Sequence, residues 1–200
     1  MRRGMRLLLL ILLSGLFFGS RYYPKIERIE VTGAKHHSVD SLLNLAHLSL
    51  NKPFFWVTYS STKNLLRDPW IAQVRIERRF PHTIVLSILE REPFMTDGVQ
   101  SYANDGTVLA DVPKQEQSTL IQLKGWGPSR LEDTLELLNL LAEFEPKVIS
   151  YSPAGFTIQY SGGEVFTPSV EALKEHWASF LSQQGTHAYV YPWGVSARHE

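Results

Sequence analysis

An apolar run with no polar stripe begins seven residues into the chain and decides more about its fate than any other feature. Arg2, Arg3 and Arg6 precede an unbroken stretch from Leu7 to Leu13, which continues through Ser14, Gly15, Leu16, Phe17 and Phe18 to Gly19 and Ser20. A helix made from it has no face to offer water, so it is addressed to a membrane rather than to the surface of a globular core. Residues 7–20 cover about 21 Å at about 1.5 Å per residue, short of the roughly 30 Å hydrocarbon core, so a secretory signal peptide stands beside a retained anchor. A cleavage site needs small residues at −3 and −1. Each candidate pair (Ser14/Leu16, Gly15/Phe17, Phe17/Gly19, Phe18/Ser20, Gly19/Arg21) carries a large or charged member, which favours retention. The expected anchor is residues 7–23, with Leu7, Leu10, Leu13, Phe17 and Phe18 among its apolar side chains. Arg6 and Arg21 can snorkel outward, and Tyr22 and Tyr23 suit the headgroup level. The N-terminal arginines place residues 1–6 in the cytoplasm and the chain from about residue 24 outside it, against a weaker opposite bias from Arg21, Lys25 and Arg28.

Taken whole, the chain reads as folded and electrically balanced. Apolar residues make up 44% and charged ones 20%, enough to build a core. The formal net charge is zero, which removes the basic footprint that nucleic-acid binding requires. There is no cysteine, so disulfides, thiolate nucleophiles and zinc–cysteine sites are excluded.

The expected class is α+β: a transmembrane helix, a β-α-α-β-β module over residues 24–93, and a mixed β domain with two helices over residues 94–200. Ile26 to Val31 predicts a strand ending at Thr32-Gly33, and Ser38 caps a helix through Leu48. Asn51-Lys52-Pro53 breaks it, and a second helix over Thr58 to Arg67, capped by Ser60 or Ser61, ends at Asp68-Pro69. Ile71 to Arg79 and His82 to Glu92 are strands set to pair antiparallel, with Val74, Ile76, Ile84, Leu86 and Ile88 at period two. Two helices can then cover one face of a three-stranded sheet.

Beyond Pro93, short strands at residues 94–96, 100–102 and 107–109 are separated by the turn signals Asp97-Gly98 and Asn104-Asp105-Gly106. A strand at 120–123 leads to a helix capped by Ser129 and running to Glu145. Strands at 148–151, 156–160 and 164–166 follow, then one helix from Pro168 to about Ser182. Thr186 to Arg198 predicts a last strand bent at Pro192–Gly194.

Catalytic and metal spacings are missing: there is no HExxH, GxSxG or phosphate-cradling loop. His36-His37 reads as a solvated loop pair, and His176 as a surface residue. Asn104-Asp105-Gly106 lacks the later ligands of a calcium loop. Glu77, Arg78, Arg79, Glu90, Arg91 and Glu92 read as cross-strand ion pairs on a wet face. No catalytic residue, cofactor or metal is expected, and no small-molecule substrate. The aromatics carry more information. Tyr189, Tyr191 and Trp193 share one parity beside Val190, and either they meet a partner or they pack on the helix holding Trp177 and Phe180. At a sheet edge, that strand could accept another chain's strand.

Several segments resemble a known family. The anchor, Ile29-Glu30-Val31-Thr32-Gly33, Trp70-Ile71, Val74 to Pro81, Thr83-Ile84 and Glu90-Arg91-Glu92-Pro93 resemble a POTRA module, and with Asp105-Gly106-Thr107-Val108-Leu109 they resemble the FtsQ/DivIB family of bacterial cell-division proteins. The resemblance implies a single-pass inner-membrane protein at the division septum with its domains outside the cytoplasm. It implies a scaffold, not an enzyme, that joins the bitopic proteins FtsB (DivIC in some lineages) and FtsL and so helps control septal peptidoglycan synthesis. It also implies that FtsB meets the last strand and the helix before it: here Trp177, Phe180, Tyr189, Val190, Tyr191 and Trp193. One departure is visible, since Ala188-Tyr189-Val190 stands where the family often has Asp-Leu-Arg. The competing expectation is an accessory POTRA module that chaperones envelope proteins.

Overall fold

A computed structural model of the chain describes residues 2–57, 59–183 and 186–198, without the side chains of residues 2–4, 6, 7 and 59–61. The side chain of Leu7 and the caps expected at Ser60 or Ser61 therefore lie outside the described residues. The chain divides into two compact units, Met1–Arg91 and Glu92–Glu200.

The first unit opens with α1 (Arg2–Gly19), followed by β1 (Arg28–Thr32), α2 (Val39–Leu45), a 3₁₀ turn at Phe54–Trp56, α3 (Tyr59–Leu65), β2 (Ile71–Arg79) and β3 (Thr83–Glu90). Leu10, Leu13, Phe17 and Phe18 of α1 are exposed. Among the described residues no helix is long and apolar enough to cross a membrane. Three arginines take up part of the 18 residues of α1, so its apolar stretch is shorter than the helix.

The long central strand β3 is flanked by β1 in parallel and β2 antiparallel, in the order β1-β3-β2. Register sets Val31 and Ile76 opposite Leu86, and Val74 opposite Ile88. Ile84, Leu86 and Ile88 then meet Leu42, Ala46 and Leu65 from the two helical segments, with Ile26 and Phe54 closing the cluster. Each such side chain contributes about 1.5–3 kcal/mol on leaving water. Ser38 caps α2 as its position predicts, its Oγ accepting from the Ser41 N–H at 3.3 Å. The helix is shorter than expected. It stops at Leu45 because His47 and Asn51 take positive φ values of 51° and 65°, which reverse the chain before Pro53. Gly33, ending the first strand, sits at φ 85° where an added Cβ would lie 2.0 Å from the Ile88 carbonyl oxygen, so only glycine fits.

The second unit runs β4 (Pro93–Thr96), β5 (Ser101–Ala103), β6 (Val108–Leu109), α4 (Lys114–Gln117), β7 (Ile121–Gly125), α5 (Leu131–Leu140), a 3₁₀ turn at Ala142–Phe144, β8 (Pro146–Ser152), β9 (Gly155–Tyr160), β10 (Gly163–Thr167), α6 (Val170–Glu175), α7 (Trp177–Ser182), β11 (His187–Tyr191) and β12 (Gly194–Arg198). Among the described residues these strands form one nine-stranded sheet, ordered β12-β11-β10-β9-β8-β7-β4-β5-β6. Leu137, Leu138 and Leu141 from α5 and its end, and Leu173 and Phe180 from α6 and α7, cover one sheet face. They pack on Ile149, Phe156, Ile158, Val165, Ala188 and Val190.

Four expectations are corrected here. Ser129 does not cap α5; Arg130 holds that place without a side-chain cap. Its guanidinium instead bonds the Asp133 carboxylate at 2.9 and 3.1 Å and lies 4.0 Å over the Phe156 ring, tying the first turn to the core. The helix from Pro168 divides at His176, with Ser169 capping the first half at the Ala172 N–H. The domain also holds the extra helix α4, so it carries more than two helices. Finally, the last strand is a hairpin: Tyr191 pairs with Gly194 across Pro192-Trp193, and β12 rather than β11 lies at the margin. A proline that cannot donate, followed by a glycine at φ 153°, makes a reversal cheaper than a bend.

Candidate functional site

The charged and histidine clusters of the first unit resolve into structural ties. The Glu90 carboxylate accepts the backbone N–H groups of Lys35, His36 and His37 at 2.8, 2.7 and 3.3 Å. Burial pushes its pKa up, but these three donors and nearby His37 outweigh burial and hold it below the ordinary glutamate value. Arg91 donates to the carbonyls of Pro69 and Ile71 at 2.9 and 2.7 Å. Glu90 and Arg91 are therefore not wet cross-strand partners, whereas Arg79 does pair with Glu77 and Glu30. His36 is exposed, as expected, but both histidine rings also have partners. His36 stacks on Trp70 with ring centroids 3.8 Å apart, and His37 Nε2 lies 3.1 Å from an Asp68 carboxylate oxygen. Among the described residues no group of three or more His, Asp or Glu side chains could hold a metal ion.

The C-terminal hairpin has a different character. Strand alternation sends successive β11 side chains to opposite sheet faces. Ala188 and Val190 enter the core with Val165, while His187, Tyr189 and Tyr191 face outward. Tyr191 stacks on Trp193 with centroids 4.9 Å apart and planes 3° off parallel. Phe166 of β10 lies 6.4 Å from Tyr189 and 5.8 Å from Tyr191, extending the row across two parallel strands. Trp193, at the hairpin tip, is 80% exposed. Ser196 and Arg198 of β12 stand opposite Tyr189 and His187, on the same face.

The six residues singled out in the sequence thus fall into two groups. Tyr189, Tyr191 and Trp193 form the outer row. Val190, Phe180 and Trp177 lie on the inner side, where Phe180 is buried and Trp177 packs with it and with Phe144. The aromatics of β11 therefore do not rest on the α7 helix. His176, expected as a plain surface residue, has Nε2 3.0 Å from the Pro192 carbonyl and links the α6–α7 break to the hairpin turn. Phe166, Ser196 and Arg198 are not visible in the sequence, because Phe166 is brought beside Tyr189 by parallel pairing across 23 residues and Ser196 and Arg198 by the hairpin at Pro192-Trp193. Among the described residues β12 pairs with β11 alone and so lies at the sheet margin, where a further strand could add, although its Val195 and Arg198 carbonyls already accept from the Gln183 and Thr186 side chains.

Comparison with known proteins fits this division of labour. The family model "POTRA domain, FtsQ-type" matches residues 25–91, nearly the whole first unit after α1. The chain is 25% identical over 163 residues to a protein named "Cell division protein FtsQ" from Zymomonas mobilis subsp. mobilis, covering 77% of this chain and 51% of that protein. Proteins of the same name from Corynebacterium glutamicum (33% over 70 residues, 34% of this chain, 32% of that protein) and Geobacter sp. (30% over 83 residues, 41% and 28%) also match. The chain spans about half the length of the first of these and about a third or less of the others. The first unit thus holds a POTRA domain of FtsQ type, and over 77% of its length the chain is similar to a protein named for FtsQ of bacterial cell division.

Proposed function

We propose that this chain is a non-catalytic scaffold of bacterial cell division, anchored in the inner membrane by α1 with residues 1–6 in the cytoplasm, and that its C-terminal hairpin receives another division protein. The observation that carries this reading is the marginal position of β12 beside the outward row of Tyr189, Tyr191 and Trp193. An incoming segment can gain backbone hydrogen bonds along β12 and bury apolar area on the aromatic row, which is how strand addition combines affinity with selectivity. The family places FtsB-like and FtsL-like bitopic proteins in that role, and through them the septal peptidoglycan synthase. As an anchor, α1 extends its short apolar stretch through the snorkelling arginines at both ends and through Tyr22 and Tyr23.

The test is capture of the organism's own FtsB-like exported segment by the full-length chain in detergent, repeated with Tyr189→Ala/Trp193→Ala. Retention by the parent and loss by the variant, with circular dichroism unchanged, supports the site. A full set of exported division proteins none of which is retained moves the reading to an accessory POTRA module.

A further inference from the structure

Five aromatic side chains of the first unit stand in solvent on three neighbouring loops. In the 3₁₀ turn, Phe54 and the following Val57 enter the core, while Phe55 and Trp56 point out, 49% and 42% exposed. Phe80, whose ring centroid lies 6.4 Å from that of Phe54, is 73% exposed, and Tyr22 and Tyr23 are exposed to a similar degree. The loops are fixed to one another. Lys25 and Pro53 form a β-bridge, the Phe54 N–H donates to the Pro24 carbonyl at 2.9 Å, the Tyr23 ring meets His82 edge-on, and Arg78 donates to the Val57 carbonyl. The aromatics are therefore held outward by folding, and a clustered apolar surface of this kind marks something that covers it.

Two independent observations identify the cover. Phe17, in the last turn of α1, lies 5.4 Å from Trp56 between ring centroids, and the Arg21 guanidinium sits 5.5 Å over the Trp56 ring. Whatever surrounds the end of α1 therefore also reaches Trp56. The loop segments 21–25, 52–57 and 78–82 moreover contain Arg21, Lys25, Lys52, Arg78 and Arg79 and no carboxylate of their own, although Arg79 pairs with the flanking Glu77 and Glu30 and His82 lies 3.6 Å from a Glu27 carboxylate oxygen. Aromatic rings interleaved with cations match the headgroup zone of an anionic bilayer, where rings sit at the apolar–polar boundary and cations meet lipid phosphates.

We propose that this three-loop patch rests on the anionic bilayer surface in which α1 is seated, with Phe55, Trp56 and Phe80 at headgroup depth. The proposal rests on the reading of α1 as an anchor. The absence of cysteine makes the test clean. Full-length Phe55→Cys and Phe80→Cys carry nitroxide labels in vesicles of phosphatidylcholine and phosphatidylglycerol, with Val99→Cys, at an 87% exposed site of the second unit, as the reference. The expected ratio of oxygen to water-soluble nickel-complex accessibility at positions 55 and 80 is about threefold or more that at 99. A label-free second measurement is tryptophan quenching by lipids brominated near the headgroup, expected for the parent and reduced in Trp56→Phe. Alkaline carbonate extraction of the same vesicles reads the anchor separately. A chain that resists extraction while positions 55 and 80 behave like 99 overturns the patch and leaves the anchor standing; a chain stripped from the vesicles overturns the anchor reading and this one together. Spin–spin broadening between labels at position 55 would instead show a second copy covering the patch and also overturn the proposal.

Discussion

The motif residues of the first unit and the C-terminal hairpin of the second use their side chains in opposite ways. In the first, Gly33, Trp70, Glu90 and Arg91 are consumed by the fold: one fills a gap too narrow for a methyl group, one stacks under His36, and two bind backbone groups of other segments. In the second, the C-terminal hairpin leaves its largest side chains outside the core. The FtsQ-type family model stops at residue 91, the end of the first unit. The difference teaches that a recognisable motif here is evidence about folding, while the candidate contact surface is written in strand parity and pairing.

Stability measurements can break that contrast, and the largest effect belongs to the second unit. Phe156 is fully buried under Arg130 and amid both helices' apolar faces. Phe156→Ala should cost about 4 kcal/mol through lost burial and the remaining cavity, read as a lower urea midpoint at unchanged slope. An effect under half of that would show that this core collapses readily and that the unit is looser than its sheet implies. Gly33→Ala comes next. The added methyl meets the Ile88 carbonyl oxygen at 2.0 Å with the backbone at φ 85°, so a loss of about 3 kcal/mol is expected, followed by the emission of Trp56 and Trp70. A variant as stable as the parent would mean that the glycine is not what fixes the end of β1.

How much of this was legible in the chain follows the same division. The β-α-α-β-β order, the Ser38 cap and the β2–β3 pairing come from period-two patterning and local capping, which act over a few residues. The parallel pairing of β10 with β11, separated by α6 and α7, has no local signature and was not visible. Nor was the role of Glu90, because its three partners lie more than fifty residues earlier and a carboxylate at a strand end looks like any surface charge. The hairpin at Pro192-Trp193 reads in the sequence as a bend, because parity alone cannot separate one kinked strand from two paired ones. The same parity did select Tyr189, Tyr191 and Trp193 together, and it also placed Val190 on the opposite face, inside the core.

The middle-sized effect tests whether a motif residue is structural. Glu90→Gln keeps the shape but loses the charge on the acceptor of three N–H groups, and at a partly exposed site that should cost about 1.5 kcal/mol. The pH dependence has a definite sign. The folded carboxyl titrates below its ordinary value of 4.5, so its contribution is complete above that value and is lost as the pH falls through the lower folded value. Parent and variant should therefore be closest in stability in acid and draw apart as the pH rises toward about 4.5, with a constant gap above that value, a trend readable by thermal melts across that range. A constant gap at every pH would remove the charge from the explanation and leave shape alone.

The smallest stability effect should fall where the largest binding effect does. Tyr189 is exposed and touches Phe166 only ring to ring, so Tyr189→Ala should change stability by about 0.5 kcal/mol, within the usual range for a surface change. Its neighbour Val190 is fully buried, and Val190→Ala should destabilise the unit clearly while leaving the outer face chemically intact. Two adjacent positions on one five-residue strand thus separate folding from contact without altering any backbone hydrogen bond of β11. Titration of an FtsB-like segment against both variants under conditions where each is folded reads the result. Weakened binding in Tyr189→Ala with near-parent binding in Val190→Ala would assign the outer face to the partner. The reverse pattern would mean that the segment is held by the β12 edge through backbone pairing whose geometry the core supports, with the aromatic row a bystander.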